Sequence, residues 1–101
     1  MYEYRAKVDR VVDGDTVDFI VDLGFHINIK IRGRLIGVNT PERGEVDWAK
    51  ATLMCKQLLA GVSDLDDTVI IRTNKTGKYG RWLVEIDGVT DKLASIWPYD
   101  T

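Results

Sequence analysis

Residues 27–32 carry the cleanest alternation in the chain: Ile27, Ile29 and Ile31 are apolar, and Asn28, Lys30 and Arg32 between them are polar. A period of two sets these groups on opposite faces of a strand. Two further strands precede it. Over residues 2–12, Tyr4, Ala6 and Val8 alternate imperfectly before the adjacent pair Val11-Val12. Over about 15–23, Val17, Phe19 and Val21 alternate with Asp18, Ile20 and Asp22. Asp13-Gly14 and Gly24 supply the turns, so the first third of the chain reads as an antiparallel meander. Gly33 reads as a bulge or a sharp bend in the third strand.

The period then changes. From about Glu45 to Ala60, Trp48, Ala51, Cys55, Leu58 and Val62 fall at helical spacing, with Met54 and Leu59 widening the stripe. Thr40-Pro41-Glu42 reads as the helix start, with Thr as N-cap, Pro in the first turn and an acid at the positive end of the dipole. Gly61 reads as its C-cap. Thr68 to Thr73 and Arg81 to Asp87 are the fourth and fifth strands, joined by the loop Asn74 to Gly80. Asp91 to Ile96 is a short helix. Three strands, a helix and two strands, mostly β with one main helix, is the order of a five-stranded OB-fold barrel. The expectation is one such domain over residues 1–101, with Trp48 and Trp82 in its core and Trp97 over an open end.

Composition narrows the chemistry. The single Cys55 excludes an intrachain disulfide, and with only His26 beside it tetrahedral nitrogen–sulfur metal sites are nearly ruled out. Any metal is held by oxygen. No apolar run is long enough to span a membrane, and the opening residues are not a signal peptide. A cytoplasmic protein is therefore expected, although a processed secreted form would read the same. The net charge of −2 is unlike a generic nucleic-acid coat. Yet Lys30, Arg32 and Arg34 form one tract without an intervening acid, and Arg72, Lys75, Lys78 and Arg81 form another. Two basic tracts in an acidic protein suggest a confined anion site.

Candidate chemistry gathers at the turns. Asp13-Gly14-Asp15-Thr16 offers carboxylates, and Arg34 through Glu42 offers a guanidinium, an amide, a hydroxyl and a carboxylate within nine residues. Hard oxygen ligands, a carboxylate and arginines are what metal-assisted attack on a phosphodiester requires. Taken singly, each has a plainer reading: Asp13-Gly14-Asp15 is a hairpin turn, Glu42 an acid near a helix start, the arginines surface residues, and Lys78 and Tyr79 a solvated loop tip.

Together, Asp13-Gly14-Asp15-Thr16-Val17, Arg34-Leu35-Ile36-Gly37-Val38-Asn39-Thr40-Pro41-Glu42 and Lys78-Tyr79-Gly80-Arg81 resemble the staphylococcal nuclease family, in the same order and over nearly the whole barrel. The resemblance implies a calcium-dependent phosphodiesterase acting on DNA and RNA, single-stranded or frayed, and leaving 3′-phosphate ends. It implies Asp15, Asn39 and the Thr40 carbonyl as Ca²⁺ ligands, with Asn39 standing where the best-known member has a second aspartate. It further implies Glu42 on the attacking water, Arg34 and Arg81 on the phosphate, and Lys78 and Tyr79 on a terminal phosphate. The chain stops at Thr101, short of the helical region that packs beside that family's barrel, and whether a second copy of the chain replaces it is left open by the sequence. The rival expectation is a catalytically weak OB-fold module that binds nucleic acid or another partner.

Overall fold

The computed structural model describes residues 2–64, 66–76 and 82–98, with the side chains of 74–76 left aside. Five strands, β1 (Tyr2–Asp13), β2 (Thr16–Asp22), β3 (Asn28–Leu35), β4 (Thr68–Thr76) and β5 (Trp82–Glu85), close into a barrel in the order β1-β2-β3-β5-β4. The main helix, α1 (Trp48–Val62), lies between β3 and β4, and a short helix, α2 (Thr90–Ile96), follows β5. This is the OB-fold order expected from the pattern. All neighbouring pairs are antiparallel except β3 with β5.

The imperfect alternation of β1 has a local cause. Val8 pairs with Phe19 but Arg10 pairs with Asp18, so two residues of β1 oppose one of β2, and a second irregularity lies between Val11 and Asp13. Each bulge shifts the alternation and bends the strand. The bend lets β1 pair with β4 through Tyr2–Lys7 and with β2 through Ala6–Asp13. Inside, Val17, Phe19, Val21, Leu35, Ile71, Val84 and Ile86 meet Cys55 and Leu59 of α1 and Leu93 of α2 in one core.

Several expectations are corrected. Gly33 is not a bulge, because β2 and β3 stay in register through it. Its glycine is required by packing: a Cβ there would stand 2.8 Å from Val84 Cγ2 and 3.1 Å from the Phe19 ring. Along the apolar face that runs into β3, Ile27 and Ile29 are exposed and only Ile31 packs inward. The pairing of β1 with β2 stops at Ala6–Val21, level with Ile29, and Ile27 lies beyond it. Trp82, at the start of β5, is exposed rather than core. Trp97 is half-buried against the core, consistent with a covering role.

The helix boundaries also move. Thr40-Pro41-Glu42 does not start α1, which begins at Trp48 with Asp47 as its left-handed N-cap residue (φ 69°). Glu42 instead opens a turn closed by Glu45 N–H on the Glu42 carbonyl (2.9 Å), and the Glu45 carboxylate accepts the Glu42 N–H at 2.7 Å. A local side-chain acceptor has outcompeted helix initiation. At the other end Gly61 lies within the last turn, and Ser63 is the C-cap.

Candidate functional site

Asp13 pairs with Thr16 across the first hairpin, leaving Gly14 and Asp15 as its two-residue turn. The Asp15 carbonyl accepts the Leu35 N–H at 2.8 Å, and Thr16 faces Arg34 in the β2–β3 register. The end of β3 is thereby stitched to the turn. After Leu35 the chain turns through Gly37 (φ 75°) and is held from two sides. Ile36 N–H donates to the Val84 carbonyl of β5 at 3.0 Å, and Asn39 N–H donates to the Trp97 carbonyl at 2.9 Å. Val38 also forms a bridge with Pro98. Residues 58 and 60 positions apart in sequence thus fix the loop that carries Asn39 and Thr40, contacts no sequence pattern announces.

This stitching brings Asp15, Arg34 and Thr40 together. Thr40 N–H donates to Asp15 Oδ2 (3.3 Å), and Thr16 Oγ1 donates to Oδ1 (3.0 Å). Arg34 Nη2 lies 3.6 Å from Asp15 Oδ2, a charge contact longer than a hydrogen bond, and donates to the Val38 carbonyl at 3.1 Å. Asp15 and Thr40 are only 8% and 6% exposed. The buried Thr40 hydroxyl has no hydrogen-bond partner among the described residues. The approach is possible because position 14 has no side chain: a Cβ on Gly14 would meet Thr40 Cγ2 at 2.8 Å and the Ala51 methyl at 2.9 Å.

Burial pushes the Cys55 thiol up to about 12, with the Asp15 charge adding to the effect. A thiol so placed stays neutral and serves the core, as its position on the α1 stripe predicts.

The other predicted residues are less closely gathered. Asn39 and Glu42 are exposed, one residue before and two after Thr40. Arg81, Lys78 and Tyr79, together with Gly77 and Gly80 of the same loop, lie outside the described residues.

Three cations of the two basic tracts are paired with acids. Lys30 pairs with Asp9 (3.0 Å), Arg32 with Asp18 (2.8 Å), and Arg72 with Glu85 (3.1 Å) and Asp87. The acids come from other strands of the barrel or from just beyond β5, so a cation in an acid-free tract along one strand meets its acid from elsewhere in the fold. The Arg32 hydrogen bonds hold the Asp18 carboxyl below its ordinary 3.8, against the opposing effect of burial. A carboxylate depressed in the folded state stabilises the fold above its unfolded pKa, and that stability is lost as pH falls through the folded value. Between pH 4 and 2, Asp18→Asn is therefore expected to show a shallower decline of the urea midpoint than the parent. Parallel declines would remove Asp18 from the acid response.

Two contacts beside the site were not legible in the sequence. Trp48 Nε1 donates to Asp13 Oδ1 at 2.6 Å, and the Arg43 guanidinium lies 5.0 Å from the centre of the Trp48 ring. Trp48 thus ties the start of α1 to the first hairpin and is only half-buried.

As a donor set for a hard cation, the site holds the Asp15 carboxylate, the Thr40 backbone and its unpartnered buried hydroxyl, with the exposed Asn39 next to Thr40 in the chain. These all-oxygen donors fit calcium, which accepts carboxylate, amide, carbonyl and water oxygens in flexible geometry. Among the described residues no three His, Cys, Asp or Glu side chains gather around a metal position, so amide, carbonyl and water oxygens would complete the shell.

The chain is therefore an OB-fold barrel with a buried acid, a partly buried arginine and an oxygen-rich loop joined at the end of β3. No family model matches it. Among curated proteins it is similar to Protein ParB of Escherichia coli, 33% identical over 81 residues, a match that covers 80% of this chain. The chain spans about 40% of the length of that relative.

Proposed function

We propose that this barrel is a calcium-dependent phosphodiesterase that hydrolyses DNA or RNA strands. One observation carries the reading: the closure of the barrel gathers Asp15, Arg34 and Thr40 from three separate segments into a single contact group. The resemblance of these segments to the staphylococcal nuclease family supports the same reading.

In this mechanism Asp15, Asn39 and the Thr40 carbonyl hold Ca²⁺, which supplies positive charge and Lewis acidity to the scissile phosphate when bound. Arg34 presents its guanidinium to the non-bridging phosphate oxygens, which gain negative charge as phosphorus becomes five-coordinate. Arg81 is the second such donor, with Lys78 and Tyr79 on a neighbouring phosphate. Glu42, exposed beside the site, accepts a proton from water as the water oxygen bonds to phosphorus. The bond to the 5′-oxygen breaks, and that oxygen takes a proton from solvent, leaving a 3′-phosphate.

Glu42→Gln keeps the backbone turn, because it is the Glu42 amide and not its carboxylate that binds Glu45. It is expected to lower cleavage of single-stranded DNA by about 10²-fold or more at unchanged melting temperature. Full activity in this variant, or cleavage by the parent that survives a calcium chelator, would overturn the mechanism.

A second reading has its own support. Asn39 contributes no charge to the cation site, and Arg34 is already engaged by Asp15 and the Val38 carbonyl. On this reading the barrel retains nucleic acid without cutting it. Retention of the strand with no chelator-sensitive cleavage by the parent would favour it.

A further inference from the structure

The geometry points to a base-stacking platform: the outer face of the Arg43 guanidinium, backed by Trp48, takes an unpaired base of the strand beside the scissile phosphate. This rests on the nucleic-acid reading above and adds a subsite to it.

Three features build the platform. First, the turn closed by Glu42 and Glu45, with Gly44 left-handed (φ 94°), folds the chain back so that Arg43 lies over the Trp48 ring. Second, the ring is itself fixed by the 2.6 Å hydrogen bond from Nε1 to Asp13, on the hairpin that carries Asp15. Third, Arg43 is exposed, so the guanidinium face away from the indole meets solvent. Arg43 follows Thr40 by three residues, which limits their separation to about 10 Å. A strand with a phosphate at Asp15 and Arg34 passes within reach.

The surrounding charge selects the base over a phosphate. Glu42, Glu45 and Asp47 flank Arg43 in sequence, and Asp13 accepts a hydrogen bond at the edge of the Trp48 ring. This excess of carboxylates disfavours a second phosphate but leaves a neutral aromatic base unopposed. Guanidinium planes and indoles both stack on unpaired bases, and such contacts tolerate any sequence.

The test measures binding of a short labelled single-stranded DNA, with calcium, to proteins carrying Glu42→Gln so that the strand stays intact. Adding Arg43→Ala is expected to weaken binding roughly 5- to 100-fold and to leave the salt dependence of the affinity unchanged. Arg43→Lys, which keeps the charge but has no plane, is expected to bind as poorly as the alanine variant. Rescue by lysine, or a salt slope shallower by about 0.7, would identify a phosphate contact and overturn the platform. Equal binding by the parent background and Arg43→Ala would overturn the platform while leaving the nucleic-acid reading intact. No binding by the parent background itself would overturn both.

Discussion

Arg34→Ala is expected to lower the single-turnover rate of strand cleavage by about 10²- to 10³-fold, the usual cost of removing one well-aimed donor from a developing oxyanion. The same change acts on the fold. It strips the Asp15 carboxylate of its charge partner and the Val38 carbonyl of a donor, in a place where both partners are largely buried. Leaving such groups short of a partner costs about 1–3 kcal/mol, which a denaturant titration reads independently of activity. Arg34→Lys separates the two effects: it restores a cation beside Asp15 but not a planar fork. Stability near that of the parent with the rate still depressed is the expected pattern. Unchanged cleavage in Arg34→Ala would withdraw the arginine from the chemistry and favour the binding-module reading.

Gly14→Ala is the second large effect, and it comes from one methyl group. Position 14 is not left-handed, so alanine suffers no backbone strain there. Its Cβ nevertheless falls 2.8–2.9 Å from the Thr40 side chain and the Ala51 methyl, where no flexible chain end can swing aside. Overpacking of this kind costs about 1–3 kcal/mol. The turn must move away from α1 or Thr40 must move away from Asp15, and the second movement pulls the proposed calcium ligands apart. A lower urea midpoint together with a weaker calcium-induced rise in melting temperature is expected. A variant with parental stability and a parental calcium response would show that the turn has room to give, and Gly14 would then be an ordinary hairpin residue.

The alternations around Val17-Phe19-Val21 and Ile29-Ile31, the helical stripe through Ala51, Cys55 and Leu59, and the turns at Asp13-Gly14 and Gly24 were enough to place the elements in order. Periodicity reports which face of an element is apolar, and a face buried by its own domain leaves that trace. The start of α1 was misplaced because Thr40-Pro41-Glu42 satisfies every local rule for a helix start, whereas Glu45 takes the Glu42 N–H and carbonyl into a turn and α1 begins only after the left-handed Asp47. Alternation put Ile27, Ile29 and Ile31 on one face but could not tell that only Ile31 packs inward.

The site divides along the same line. Which residue types are available was legible from the chain itself: oxygen ligands rather than sulfur or nitrogen, Asp15 in a turn, Arg34 at a strand end, Thr40 in the loop that follows. That three of them touch was decided only by barrel closure, through register pairs such as Thr16 with Arg34 and the distant bonds from Trp97 and Val84 to the loop. Tertiary structure also paired part of the basic tracts, setting Asp9, Asp18 and Glu85 against Lys30, Arg32 and Arg72, which look unopposed in sequence. The physical reason is range. Side-chain periodicity and turn chemistry act over a few neighbouring residues, so the chain writes them out in order. Charge pairing and the shape of a ligand cup depend on distances through space, and those exist only once the ends of the strands have met.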